Sequence, residues 1–166
     1  IAKNYDGFLE LNQLVSNSYS RKDGHFYYMP RITFRELENT SDNIIISTAC
    51  LGGILNKGND IIREKFINFL RANKQRCYLE IQHHMDSRQK EYNQYLYTLS
   101  REIAVPLIAG TDTHALNDEH LEGRSILQKS KNVFFSEEES WDLTFKSYDD
   151  LIAAYNKQNS LPMEIV

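Results

Sequence analysis

Tyr78–Ser87 reads YLEIQHHMDS, and its reading decides the fold. With Cys77 it starts as an apolar strand, Cys77–Gln82, then turns abruptly polar at His83 and His84. Asp86 stands where a helix N-cap belongs, with Gln89 at the capping-box position. The helix so begun carries Tyr92, Leu96, Leu99 and Ile103 on one face. Upstream, NIIISTAC (Asn43–Cys50) is a β-branched run of the kind buried strands use, and LGG ends it with flexible glycines. Asn59 or Asp60 then caps a helix striped by Ile62, Phe66, Phe69 and Leu70. Downstream, VPLIAG (Val105–Gly110) is a third short strand leading into TDTH. Strands separated by helices of this length predict parallel crossovers and an α/β fold.

Around this centre the signals are sparser. Asp6 and Gly7 start a helix with Phe8, Leu11, Leu14 and Val15 on one face. Pro30 keeps HFYYMPRIT extended or turning. SEEES (Ser136–Ser140) reads as a solvated loop or an extra helical turn. Ser147 with Asp150 opens a last helix carrying Leu151, Ile152 and Tyr155.

The 166 residues, 41% hydrophobic and 25% charged, suit one soluble domain. A net charge of −4 supplies no global cationic field, so nucleic-acid contacts would rest on local basic patches. Cys50 and Cys77 make no disulfide framework, and the N-terminus has no signal-peptide pattern. No apolar run approaches the roughly 20 residues of a membrane span, so a reducing cytoplasm is expected. The chain begins with Ile, which suggests an internal piece of a longer protein.

Residues two and four apart on a strand share a face, so Glu80, Gln82 and His84 align if the extended run lasts to His84. Asp112 and His114 follow the third strand, and Cys50 follows the first. In a parallel sheet these ends meet at the C-terminal edge, where α/β folds build sites. Imidazole, carboxylate and thiolate are the usual ligands of zinc and similar divalent ions, and clusters of such ions cleave phosphoesters. Each motif alone has a plainer reading: Cys50 as a small buried residue, Asp112–His114 as a turn with a capping Asp. Glu80 is the hardest to read as structural, because a carboxylate inside an apolar strand is costly unless paired. Cys77 reads as structural, His83 as facing solvent or a helix, and His25 and His120 as surface residues.

Six ordered blocks, IAKNYDGFLELNQLVSNSY, HFYYMPRI, STACLGG, YLEIQHH, VPLIAGTDTHAL and FKSYDDLIAAY, resemble the polymerase and histidinol phosphatase (PHP) domain of bacterial DNA polymerase III alpha subunits. The resemblance covers nearly the whole chain. It implies part of a distorted (β/α)7 barrel, with residues 1–118 as metal-site-bearing βα units and 119–166 as a helical part leading toward the polymerase core. It also implies a cluster of divalent metals, zinc first with manganese or magnesium as alternatives. The family's cysteine falls on Cys50, its E-x-Q-x-H block on Glu80 and His84, and its D-x-H block on Asp112 and His114. Gly110–Thr111 stands where the family often has Thr-Asn, and Met85 where it commonly has Gly. The family's H-x-H motif precedes the IAKN block, so an incomplete site with little activity of its own is expected of this piece.

The resemblance implies a parent that is a DNA-directed DNA polymerase, a nucleotidyltransferase, with DNA and other replicase subunits as partners and no membrane. Its PHP domain would be a metal-dependent phosphoesterase, a 3′-to-5′ proofreading exonuclease, with the metals and not a side chain as the catalytic group. Arg31, Arg88 and Lys90 are candidates for phosphate contacts. One alternative is a non-catalytic scaffold or docking domain for the polymerase core and a proofreading subunit. Another is a free-standing small-molecule phosphatase.

Overall fold

The computed structural model describes residues 1–22, 24–133, 141–162 and 164. Three parallel strands, β1 (Ile46–Ser47), β2 (Cys77–Gln82) and β3 (Leu107–Gly110), form one open sheet in the order β1-β2-β3. Helices α1 (Tyr5–Ser18) and α2 (Phe34–Glu38) precede β1. Between β1 and β2 come α3 (Ile54–Lys57) and α4 (Asp60–Ala72); α5 (Ser87–Ile103) links β2 to β3. Then follow α6 (Asp118–Ser130) and α7 (Tyr148–Gln158). This is the strand–helix alternation that the sequence predicts between Asn43 and His114. SEEES lies outside the described residues.

β2 alternates as a half-covered strand should. Cys77, Leu79 and Ile81 are buried with Phe66, Phe69 and Leu70 of α4 and with Tyr92, Leu96, Leu99 and Ile103 of α5. The opposite face carries Tyr78, Glu80 and Gln82, polar where a parallel sheet covered on both sides would be apolar. Ile108 on β3 stays 43% exposed. Among the described residues, no helix is long and apolar enough to cross a membrane.

Several expected details change. The run Asn43–Cys50 is not one strand. Its first part pairs antiparallel with residues 1–3, through Ile45 N–H to the Ile1 carbonyl and Lys3 N–H to the Asn43 carbonyl, both 2.8 Å. Only Ile46–Ser47 pairs with β2. The left-handed backbone at Ala49 (φ +56) then turns the chain toward Gly53. α1 begins one residue earlier than expected, capped by Asn4. Its expected apolar face is only partly covered, since Phe8 and Val15 remain 51% and 57% exposed. Gly7, buried like Ser18, is its point of close approach: a Cβ there would meet the Asn43 carbonyl oxygen. Asp86 caps α5 as expected by accepting from the Arg88 amide, 2.8 Å. Gln89 does not complete a capping box; it is buried and donates to Asn93, 2.9 Å.

Candidate metal centre

All three strands end at the same edge, and the chain there turns polar. β2 stops at Gln82, so the carbonyls beyond it lose their ladder partners and need others. Asn93 of α5 donates to the Gln82 carbonyl (2.7 Å) and accepts from the Gln82 amide (3.2 Å). Gln158, at the end of α7, donates to the carbonyls of Gln82 (2.9 Å) and His84 (2.6 Å). Tyr155 donates to the carbonyls of Ile81 (2.7 Å) and Gly110 (3.3 Å), tying the ends of β2 and β3 together.

On this floor three of the candidate ligands meet. His84 Nε2 lies 2.9 Å from Asp112 Oδ2, and His114 Nε2 lies 3.1 Å from Asp112 Oδ1. A carboxylate only accepts, so each imidazole donates an Nε2 proton to it. These bonds, His84's foremost, hold the Asp112 carboxyl below its usual range against the opposing effect of burial. Asp112 sits at φ +47, a left-handed conformation that Asp tolerates and that turns the chain from β3 toward His114. His114 is fixed from behind by its amide bond to the Leu143 carbonyl, 2.8 Å. Arg124 of α6 approaches His114 Nδ1 at 3.5 Å. The sequence reading did not single out Arg124; its spacing from His114 carries no signal.

Glu80 reaches the same edge from mid-strand. Its carboxylate accepts from the Ser47 hydroxyl and from Gln82 Nε2, the latter at 3.2 Å. Gly110 makes room for it, since a Cβ there would lie 2.5 Å from Glu80 Oε1. Cys50 is half-buried past β1. The buried Tyr92 hydroxyl is pushed up by burial first and then by Tyr95, Cys50 and Glu80.

The donors are of the right kind for a divalent cation, and the two Nε2 atoms converge on one carboxylate. As they stand, however, they hydrogen-bond one another. Among the described residues, no three His, Cys, Asp or Glu side chains are arranged to hold a metal ion. The edge also has unmet capacity: among the described residues, His84 Nδ1, His83 Nε2 and Gln82 Oε1 are buried without hydrogen-bond partners. His83 is buried against Tyr155 of α7, and burial lowers its pKa. His120 is exposed, as expected. His25 instead pairs with Glu36 at 3.0 Å, its side chain 14% exposed.

The phosphate candidates separate. Arg31 donates to the carbonyls of Gly24 and His25 and stacks on Tyr27, away from the cluster in sequence and in contacts. Arg88 pairs with Asp86 and lines an open cleft of about 410 Å3 with Lys57, Arg63 and Tyr92. Lys90 lies half-buried on α5.

The fold and its edge define an α/β protein with a histidine–carboxylate cluster at the C-terminal end of a parallel sheet. Comparison with known proteins narrows this. The chain is 35% identical over 133 residues to the DNA polymerase III subunit alpha of Borreliella burgdorferi, covering 76% of the chain and 11% of that protein. It is 32% identical to that of Aquifex aeolicus over 136 residues, with the same coverage. It is 27% identical over 169 residues to the DNA polymerase III PolC-type of Pediococcus pentosaceus, covering 94% of the chain and 12% of that protein. No protein-family model matches. The homologues of this chain are DNA polymerase III alpha subunits, and it spans about a tenth of their length.

Proposed function

We propose that the chain is a segment of the PHP domain of a replicative DNA polymerase III alpha subunit, working on DNA with other replicase subunits in the cytoplasm. In this reading the strands belong to a distorted (β/α)7 barrel, and the cluster serves a metal-dependent phosphoesterase, a 3′-to-5′ proofreading exonuclease. The observation that carries it is the joining of His84, Asp112 and His114 at the C-terminal sheet edge, with Glu80 beside the end of β3. Cys50, Glu80, His84, Asp112 and His114 would hold the cations, zinc first and manganese or magnesium next. The cations would supply Lewis acidity toward a phosphodiester. The chain's own residues bind and orient: Gly110 admits the Glu80 carboxylate, and Asp112 aligns both imidazoles.

The isolated chain would bind metal weakly and have little activity, because no three of its described donors stand ready as a shell. The same observation favours a second reading, a scaffold or docking domain for the polymerase core and a proofreading subunit. The test is hydrolysis of a 3′-mismatched primer by the full polymerase, native and as an Asp112→Asn/His114→Ala double variant. Loss of hydrolysis with synthesis retained supports the exonuclease. Equal hydrolysis, or none in the native enzyme, supports the scaffold. Tight, stoichiometric zinc binding by the isolated chain would contradict its proposed inactivity.

A further inference from the structure

We propose that Trp141 is a positioning residue for His84, and that residues 141–158 are a working part of the site. This deepens the proposed function and rests on its assignment of His84. The Trp141 indole lies parallel to the His84 ring, centroids 4.3 Å apart and planes 10° apart. His84 is 1% exposed, and among the described residues its ring has one hydrogen bond, from Nε2 to Asp112. The Asp112 bond sets which ring nitrogen carries the proton, but the terminal torsion of a histidine is broad, so that one bond leaves the tilt of the ring plane weakly held. A ring stacked flat against the imidazole holds that plane, and His83 closes the edge at 4.9 Å and 63°.

The backbone below is held from the same segment. Gln158 donates to the His84 carbonyl, Tyr155 joins the ends of β2 and β3, and the Leu143 carbonyl accepts from the amides of His114 and Ala115. One stretch of chain thus fixes the plane of the His84 ring, the carbonyl of His84 and the amide of His114. Trp141 is the chain's single tryptophan, so its contact with His84 can be observed without interference.

The test is NMR of the chain with labelled histidines, native and with Trp141→Phe and Trp141→Leu. In the native chain the His84 Cε1 proton is shifted upfield by the indole and shows a nuclear Overhauser effect to indole protons. Long-range proton–nitrogen spectra show one tautomer, protonated at Nε2. Trp141→Phe keeps the single tautomer and part of the shift. Trp141→Leu loses the shift, and its His84 Nε2 proton exchanges faster with solvent as the ring rocks away from Asp112, while the amide signals of β2 stay in place. A His84 Nε2 proton that exchanges as slowly in Trp141→Leu as in the native chain overturns the proposal. So does a native chain without the indole contact, even if the variants fail to fold. The metal reading is separable: if millimolar zinc leaves the His84 nitrogens unmoved while the stack and tautomer are as described, positioning stands and the cation site falls.

Discussion

The two ends of β2 both bury polar groups, and they treat them oppositely. At the N-terminal end Arg76 is 2% exposed and well used. It donates to Thr40 Oγ1 (2.9 Å), to the carbonyls of Ser41 (3.0 Å) and Ile44 (3.4 Å), and to Asn73 Oδ1 (2.9 Å). That end stitches the loop before β1 to the start of β2. At the C-terminal end, Gln82, His83 and His84 are as deeply buried yet keep atoms without partners among the described residues. A buried polar group that is fully bonded is a structural device. One with spare capacity costs stability unless a water or a ligand supplies the missing bond.

The first way to break this contrast is Arg76→Met. It removes the bonds to the Thr40 hydroxyl, the Ser41 and Ile44 carbonyls and Asn73 and should cost about 3 kcal/mol or more, read by urea denaturation. A loss below about 1 kcal/mol would remove the structural reading of that end. Asn93→Ala comes next, since it leaves the Gln82 amide unpartnered; about 2–3 kcal/mol should be lost. Asp112→Asn should cost under about 1 kcal/mol, because Asn accepts the left-handed backbone at φ +47 and keeps one acceptor. If that variant unfolds the chain, Asp112 is structural and the contrast fails.

The cysteines sharpen the same comparison. Cys77 starts β2, is fully buried, and burial raises its pKa; Cys50 is half-buried past β1. A thiol reagent should therefore modify one cysteine quickly, Cys50, and reach Cys77 only on unfolding. The smallest effect is electrostatic. Burial alone would raise the Asp142 carboxyl, but hydrogen bonds from Lys146 and Thr144 bring it to about 2 from 3.8. A carboxyl depressed in the fold adds stability above its unfolded value and loses it as pH falls through about 2. Asp142 is 61% exposed, so the effect is small. Native and Lys146→Met chains should differ slightly in stability at about pH 5 and converge near pH 2.

The sequence displayed β2, α5 and α7 clearly, because periodicity and capping residues agree there. It showed the apolar half of the core through Phe66, Leu70, Leu96 and Ile103. It did not show that Asn43–Cys50 divides, because the pairing of residues 1–3 with Asn43–Ile45 is a long-range choice with no local signature. The short α2 and α3 lack enough turns for a periodic signal. At the site, spacing alone brought out Glu80, His84, Asp112 and His114. The contributions of Trp141, Tyr155 and Gln158 were invisible, since each acts between segments far apart in sequence through a ring contact or a pair of hydrogen bonds. Gln89 was misjudged because tertiary burial outweighed the local motif, whereas His83 packs against α7, one of the two surroundings expected for it.

Metal analysis of the full-length parent polymerase tests the central claim most directly, comparing the native protein with the Asp112→Asn/His114→Ala variant after exhaustive dialysis. The account predicts bound zinc or a similar divalent ion in the native protein and its loss from the variant, with the fold intact by circular dichroism. Equal metal content in the two, or none in either, would contradict it.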